Sequence, residues 1–335
     1  MQLGYSDRCL DHDPGARHPE RPDRVRAIRK RLTREHGVSY VDADPAPLET
    51  ITAVHDAAYV EDLRAFCAAG GGDWDPDTTA TEATWEAART SAGLACWAAQ
   101  TALDGATGRE TPFSIGRPPG HHAVADDAMG FCFLNNVAIA AQHAIDASGA
   151  TRVAVVDWDV HHGNGTQAIF ADRDDVLVVS IHENGLYPGT GALRECGTGP
   201  GSGSTLNLPM PSASGDADYV AAFDRVVRPA LSDFGPNLVL VSAGFDAHRH
   251  DPISRIRLST EAYACLTDRL RDAAAAVDAG LAFVLEGGYG LDLLAESVAR
   301  VHQTFDGREP MEPDEEIRDD VEALLAEAET LHDLA

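Results

Sequence analysis

Lysine is almost missing from this 335-residue chain: Lys30 is the single one among 26 basic residues, which face 54 acidic residues and leave a formal net charge of −28 at pH 7. That balance makes nucleic acid a poor partner, because phosphate binding needs clustered cations. A diffuse acidic field does steer cations such as polyamines or lysine-rich tails. Acid spread along the whole chain, with arginine in place of lysine, reads more simply as the surface of a halophilic protein, where salt screens most self-repulsion. Long apolar runs are also missing. No stretch of about 18 uncharged apolar residues occurs, which excludes a helical membrane span, and the N-terminus lacks the basic-then-apolar layout of a secretory signal. The expectation is a soluble, cytoplasmic protein without a membrane role. Finally, the six cysteines (Cys9, Cys67, Cys96, Cys132, Cys196 and Cys265) are scattered, with no C-x-x-C pair. Neither a disulfide framework nor a thiolate zinc cage is available, so any metal must be held by Asp, Glu and His.

What is present is ample apolar material, 44% of residues, enough for a sizeable core. Short β-branched runs end in polar or glycine-rich turns: TPFSIGRPPG, RVAVVDWD, VLVVSIH, NLVLVSAGFD and LAFVLEGGYG. Alanine-rich stretches with helical spacing lie between them, such as VAIAAQHAIDASG, YVAAFDRVVRPALSDFG and EAYACLTDRLRDAAAAVDAG. The alternation predicts an α/β fold with a parallel sheet covered by helices on both faces, whose ligands sit beyond the carboxyl ends of the strands. No composition shift appears before about residue 306, which predicts one domain over 1–305. The remainder, 306–335, reads as a proline-punctuated linker and an acidic amphipathic helix whose Val321, Leu324, Leu325, Ala328 and Leu331 pack on the body or a neighbour.

Four places carry chemistry. In VAVVDWDVHHGNGTQ an extended strand points Asp157, Asp159 and His161 one way and Trp158, Val160 and His162 the other. One aspartate at a strand end is usually only solvated. Asp-x-Asp-x-His closing an apolar run is a ligand arrangement suited to a zinc-like divalent ion. A second strand end, SAGFDAHRHD, delivers Asp246 to complete a three-ligand set with Asp159 and His161, while His248, His250 and Asp251 read as a polar loop. The GRPPGHHA loop presents His121 and His122, the residue type most easily tuned for proton transfer near neutral pH. FVLEGGYG ends a buried strand in Glu286, two glycines and Tyr289, a phenol able to donate to a developing oxyanion.

Taken in order, HPERPDRVRAI, VHDAAYVEDL, RPPGHHA, GFCFLNNVAIAA, VDWDVHHGNGTQ, SIHENGLYPGTG, NLPMP, SAGFDAHRHDP and LEGGYG resemble the zinc-dependent histone deacetylase family, closer to its class II branch, a family that includes acetylpolyamine amidohydrolases and acetoin-utilisation proteins. The resemblance implies an arginase-like single domain, with a mostly parallel eight-stranded sheet flanked by helices on both faces. It implies one zinc ion held by Asp159, His161 and Asp246. His121 and His122 become the tandem histidines that handle the proton of the attacking water and of the leaving amine, with His122 the principal acid–base group. Tyr289 becomes the donor to the substrate carbonyl.

The same resemblance gives Asp157 a different role from Asp159: it orients His121 and helps hold a potassium ion with the Ser180 hydroxyl and the backbone carbonyls of Asp159, His161 and Ile181. Asn164 becomes the partner of His122. An amide there adds no negative charge, so His122 is less basic than it would be beside a carboxylate. Phe131 and Tyr187, with Gly130 at the floor, line a narrow slot for an unbranched alkyl chain, and Ile253 adds a wall. Asp77 matches the rim aspartate that holds the substrate backbone, with Asp75 its rival. The expected activity is hydrolysis of acetyl-lysine in proteins, releasing acetate, with acetylated polyamines or small metabolites as the alternative substrates. A dimanganese ureohydrolase is disfavoured because His248 stands where a further carboxylate ligand is needed. A non-catalytic acetyl-amine binder is disfavoured by the intact set of catalytic groups.

Overall fold

The computed structural model describes residues 1–334. Among the described residues are ten strands: β1 (Gln2–Gly4), β2 (Tyr40–Val41), β3 (Gly71–Asp73), β4 (Thr79–Thr81), β5 (Pro112–Ser114), β6 (Val153–Asp157), β7 (Val176–Glu183), β8 (Thr205–Met210), β9 (Leu238–Ala243) and β10 (Gly280–Leu285). Eleven α-helices accompany them: α1 (Asp23–His36), α2 (Leu48–Ile51), α3 (Ala57–Ala68), α4 (Thr84–Leu103), α5 (Asn136–Ala147), α6 (Asn164–Phe170), α7 (Asp216–Ala222), α8 (Arg228–Phe234), α9 (Thr260–Ala276), α10 (Leu291–Phe305) and α11 (Asp319–His332).

Eight strands form one sheet in the order β2-β1-β5-β10-β9-β6-β7-β8. Every pairing in it is parallel, so the expected mostly parallel eight-stranded sheet is present and parallel throughout. β6, β7 and β9 are buried at every position, as helices on both faces require of near-continuous apolar runs. Alternation divides their side chains between two cores. Val153 and Val155 join an alanine-rich core under α4 and α5, while Ala154, Val156 and Trp158 join a core with Phe223, Phe245, Tyr263 and Phe283. The small residues on α4 and α5 let the helices lie close to each other and to the sheet.

The spacing over 219–235 predicts one helix. Its path is interrupted by a π-turn at Phe223–Val227, just before Pro229. Proline has no N–H and its ring crowds the carbonyl four residues back, so a wider turn relieves the clash. The strands β1 and β2 and the β3–β4 ribbon are too short to leave a period in the sequence.

α11 lies against the edge strand β8. Val321, Leu325 and Ala328 are buried there, Leu324 is partly buried, and Leu331 is exposed on this chain. Arg225 fixes the helix through a two-pronged pair with Glu329, at 2.7 Å on each side, and a 2.6 Å bond to Glu322. Among the described residues no helix is long and apolar enough to cross a membrane.

The topology places the site. β10, β9 and β6 are neighbours at the centre of the sheet, so Glu286, Asp246 and Asp157 leave or end adjacent strands at one edge.

Candidate active site

β6 stops at Asp157 instead of running on to His161. The bend that follows still separates the side chains as the alternation predicts: Trp158 enters the aromatic core, and His162 turns away to Thr190 Oγ1 and Gln167 Oε1, each at 2.8 Å. Asp159 and His161 return to the sheet edge, where the Asp159 backbone N–H donates to Asp157 Oδ1 at 3.0 Å and the His161 N–H donates to Asp159 Oδ1 at 2.9 Å. Asp246 joins them from β9, with Oδ1 accepting from Val160 N at 3.0 Å.

The donor atoms of Asp159, His161 and Asp246 all lie within 4.8 Å of one another, and all three residues are buried. His161 Nδ1 is 2.9 Å from Asp159 Oδ1 and 3.2 Å from Asp246 Oδ2. Asp246 Oδ2 has no hydrogen-bond partner, an expensive state for a buried carboxylate oxygen. Burial opposes a charge on His161, yet the adjacent carboxylates of Asp159 and Asp246 push its pKa up to about 10. The trio therefore demands positive charge, which a dication on these N and O donors supplies. Backbone without side chains makes room for it: a Cβ on Gly287 would lie 2.2 Å from Asp246 Oδ2, and one on Gly244 2.1 Å from Asp159 Oδ2. The residues present fit a zinc-class ion.

His121 and His122 stand beside this trio with ring centroids 4.1 Å apart. His121 Nδ1 donates to Asp157 Oδ2 at 2.9 Å, and its backbone N–H donates to Glu286 Oε2 at 3.2 Å, as Gly120 does at 2.8 Å. Burial disfavours its charged form, but Asp157 and Asp159 outweigh burial and hold its pKa well above the ordinary histidine value. His122 differs. Burial, then the neighbouring His121 and His161, hold it well below that value, and its Nδ1 meets the Asn164 amide oxygen at 2.8 Å. One histidine is thus biased to carry a proton and the other to accept one.

Tyr289 is half-buried, and burial raises its pKa well above the usual phenol value, so it remains a donor. Its loop is held by groups that the sequence did not single out. Arg24 Nε donates to the Gly288 carbonyl at 2.6 Å, its guanidinium also bonds the Glu286 carbonyl, and it lies 5.0 Å from the Tyr289 ring centroid. Glu20 bonds Arg24 at 3.1 Å and Arg117 at 2.9 and 2.6 Å, so a fully buried charged triad connects the N-terminal segment to the histidine loop. Asp251 also belongs to the site, because its Oδ2 accepts from the Tyr289 and Gly290 N–H groups at 2.8 and 3.0 Å. Only a contact between residues far apart in sequence reveals these roles.

Gly130 has φ +56°, and a Cβ there would fall 2.5 Å from His122 Cδ2 and 2.9 Å from Tyr187 Cε1. The Tyr187 ring stands edge-on to His122 at 5.2 Å, and the Phe131 ring edge-on to Tyr289 at 5.8 Å. Phe131 also meets His18 at 4.7 Å and, with Asp77, borders an open cleft of about 620 Å³. Asp75 is spent on its own loop, accepting from Asp77 N at 3.0 Å and Thr78 N at 2.6 Å. Ile253 donates its N–H to Asp251 at 3.1 Å. Ser180 sits opposite Asp157 in the β6–β7 register, with its hydroxyl 3.0 Å from His182 Nδ1, and Ile181 follows it, buried.

Comparison with known proteins adds independent findings. The histone deacetylase domain family matches residues 18–305. The chain is 39% identical over 341 residues to the chloroplastic histone deacetylase 10 of Oryza sativa subsp. japonica, covering 96% of this chain and 76% of that protein. It is 42% identical over 279 residues to the histone deacetylase-like amidohydrolase of Pseudomonas aeruginosa, covering 82% and 73%. The crystal structure of the HDA15 HD domain superposes with a TM-score of 0.90 at 35% identity, covering 99% of this chain and 96% of that one.

Proposed function

Because the chain belongs to the histone deacetylase family, we propose that this deacetylase removes acetyl groups from lysine side chains in proteins, with Asp159, His161 and Asp246 holding one zinc ion. The observation that carries the reading is the orphaned Asp246 Oδ2 in a buried trio, set against two histidines whose surroundings push their proton affinities apart. A zinc ion bound there supplies Lewis acidity to the amide carbonyl and to an attacking water. His122, kept neutral by burial and steered by Asn164, takes the water proton and later delivers a proton to the leaving amine. His121, bonded to Asp157, remains charged and steadies the negative charge that develops nearby. Tyr289 donates its phenolic hydrogen to the oxyanion. Water and the amide give acetate and a free amine.

Phe131, Tyr187 and Gly130 flank the acyl chain, and Asp77, whose carboxylate accepts only from the Thr78 hydroxyl at 3.2 Å, meets the substrate backbone at the rim. A potassium ion beside Asp157, shared with the Ser180 hydroxyl and the carbonyls of Asp159, His161 and Ile181, belongs to the same reading. Residues 1–305 form the catalytic unit and 306–335 support it. The free cysteines suit a reducing cytoplasm, and the charge of −28 suits a salty one. Acetylated polyamines are the second reading, favoured by the acidic pair Asp75 and Asp77 near the mouth. The test is acetate release from an acetyl-lysine peptide and from an acetylated polyamine in competition, with zinc present. His122→Ala and Tyr289→Phe are expected to lose at least about 100-fold in rate. No zinc-dependent release from either substrate overturns the proposal, and preference for the polyamine selects the second reading.

A further inference from the structure

At the sheet edge opposite the catalytic cluster, two helices that run back from the site end side by side. α1 ends at His36, and α10 ends one residue before Asp306. Of the described residues, only one other trio of metal-ligating side chains besides the catalytic one meets the same 4.8 Å convergence: His36, His302 and Asp306. His302 and Asp306 share one face of α10's last turn, with His302 Nε2 at 3.3 Å from Asp306 Oδ2. Tetrahedral coordination at zinc bond lengths places ligand atoms about 3.3 Å apart, so this pair is already set. His36 Nδ1 lies 3.9 Å from the same Oδ2, and its ring packs edge-on to His302 at 4.8 Å. A small rotation of the half-buried His36 ring closes the remaining gap.

Helix ends and a carboxylate draw a cation here against the nearby Met1 ammonium and Arg109. Both helices direct their carboxyl ends, the negative pole of the dipole, towards the cluster. Arg109 Nε occupies Asp306 Oδ1 at 3.2 Å and leaves Oδ2 between the two imidazoles. On the far sides of the rings, His302 Nδ1 is 3.4 Å from the Met1 nitrogen and His36 Nε2 is 3.3 Å from Gln303 Nε2.

We propose that His36, His302 and Asp306 form a second metal site, for a zinc-class dication, that staples the carboxyl end of α1 to that of α10. Two imidazoles and one carboxylate match the zinc, nickel and cobalt preference for mixed N and O donors. The site is independent of catalysis, because it lies beyond the opposite end of the strands.

The experiment uses the whole protein with its catalytic site loaded, dialysed against zinc and measured for metal per chain. Wild type is expected to take up a second equivalent, with a zinc-dependent rise in Tm. His36→Ala and Asp306→Asn, both at partly exposed positions, are expected to bind that equivalent at least ten-fold more weakly and to lose the rise, with acetate release unchanged. A single equivalent in wild type at 100-fold molar excess of zinc overturns the proposal. So does a second equivalent that persists in both variants, which would place the ion on the acidic surface.

Discussion

At the scale of single residues, the site separates two chemically similar histidines by what touches each. His121 meets a carboxylate and His122 an amide. Replacing Asn164 by Asp places negative charge on His122 and raises its proton affinity. A base must be deprotonated to act, so the acid limb of the kcat/KM profile is expected to move to higher pH by about one unit, measured as acetate release between pH 5 and 9. Gly287 is equally exacting: a methyl group there intrudes 2.2 Å from Asp246 Oδ2 and 2.6 Å from Asp159 Oδ2. Gly287→Ala is expected to weaken zinc binding about 10–100-fold, read by competition with a chromophoric chelator, with the circular dichroism spectrum unchanged. The polar residues at this level were legible because Asp-x-Asp-x-His and the paired histidines are short-range patterns. Asp251 and Arg24 were not, since a carboxylate that caps the Tyr289 loop and a guanidinium that holds its carbonyls look in sequence like any polar loop and any helix.

At the scale of elements, the long central strands announced themselves through unbroken β-branched runs, and the helices through their spacing. The π-turn before Pro229 escaped because helical periodicity survives one extra residue, and β1 escaped because three residues carry no period. The C-terminal helix was legible as amphipathic, but its partner was not. It packs against β8, the last strand of the sheet, and an edge strand invites association when its packing loosens. Leu325 is fully buried under it. Leu325→Ala is expected to cost about 2–5 kcal/mol of stability in urea unfolding, and to raise aggregation, while the folded fraction keeps its acetate-release rate.

For the whole molecule, charge dominates. With 54 acidic residues against 26 basic ones, many arginines are committed to local pairs, such as Arg225 with Glu322 and Glu329 and Arg269 with Asp224 and Glu312, and most of the excess acid remains unpaired. Screening shortens the range of that repulsion from about 10 Å at 0.1 M salt to about 3 Å at 1 M. Tm is therefore expected to rise steeply between 0.1 and 2 M sodium chloride by calorimetry. Using sodium keeps this general effect apart from occupancy of the proposed potassium site, which an equal concentration of potassium chloride is expected to add on top. A Tm that falls over this range would show that the acid does not limit stability.

The all-parallel sheet carries one more consequence. Parallel neighbours cannot be joined by hairpins, so the strands that meet at the site arrive from distant parts of the chain: the Gly287 N–H reaches Asp159 across 128 residues and Arg24 reaches Gly288 across 264. Such long-range closure is slow. It also means that a growing polypeptide is inert until nearly all of it has left the ribosome. With the proposed role of Tyr289, the first turnover of substrate reports the final stage of maturation, and a stalled or truncated product ending before Tyr289 is expected to release no acetate.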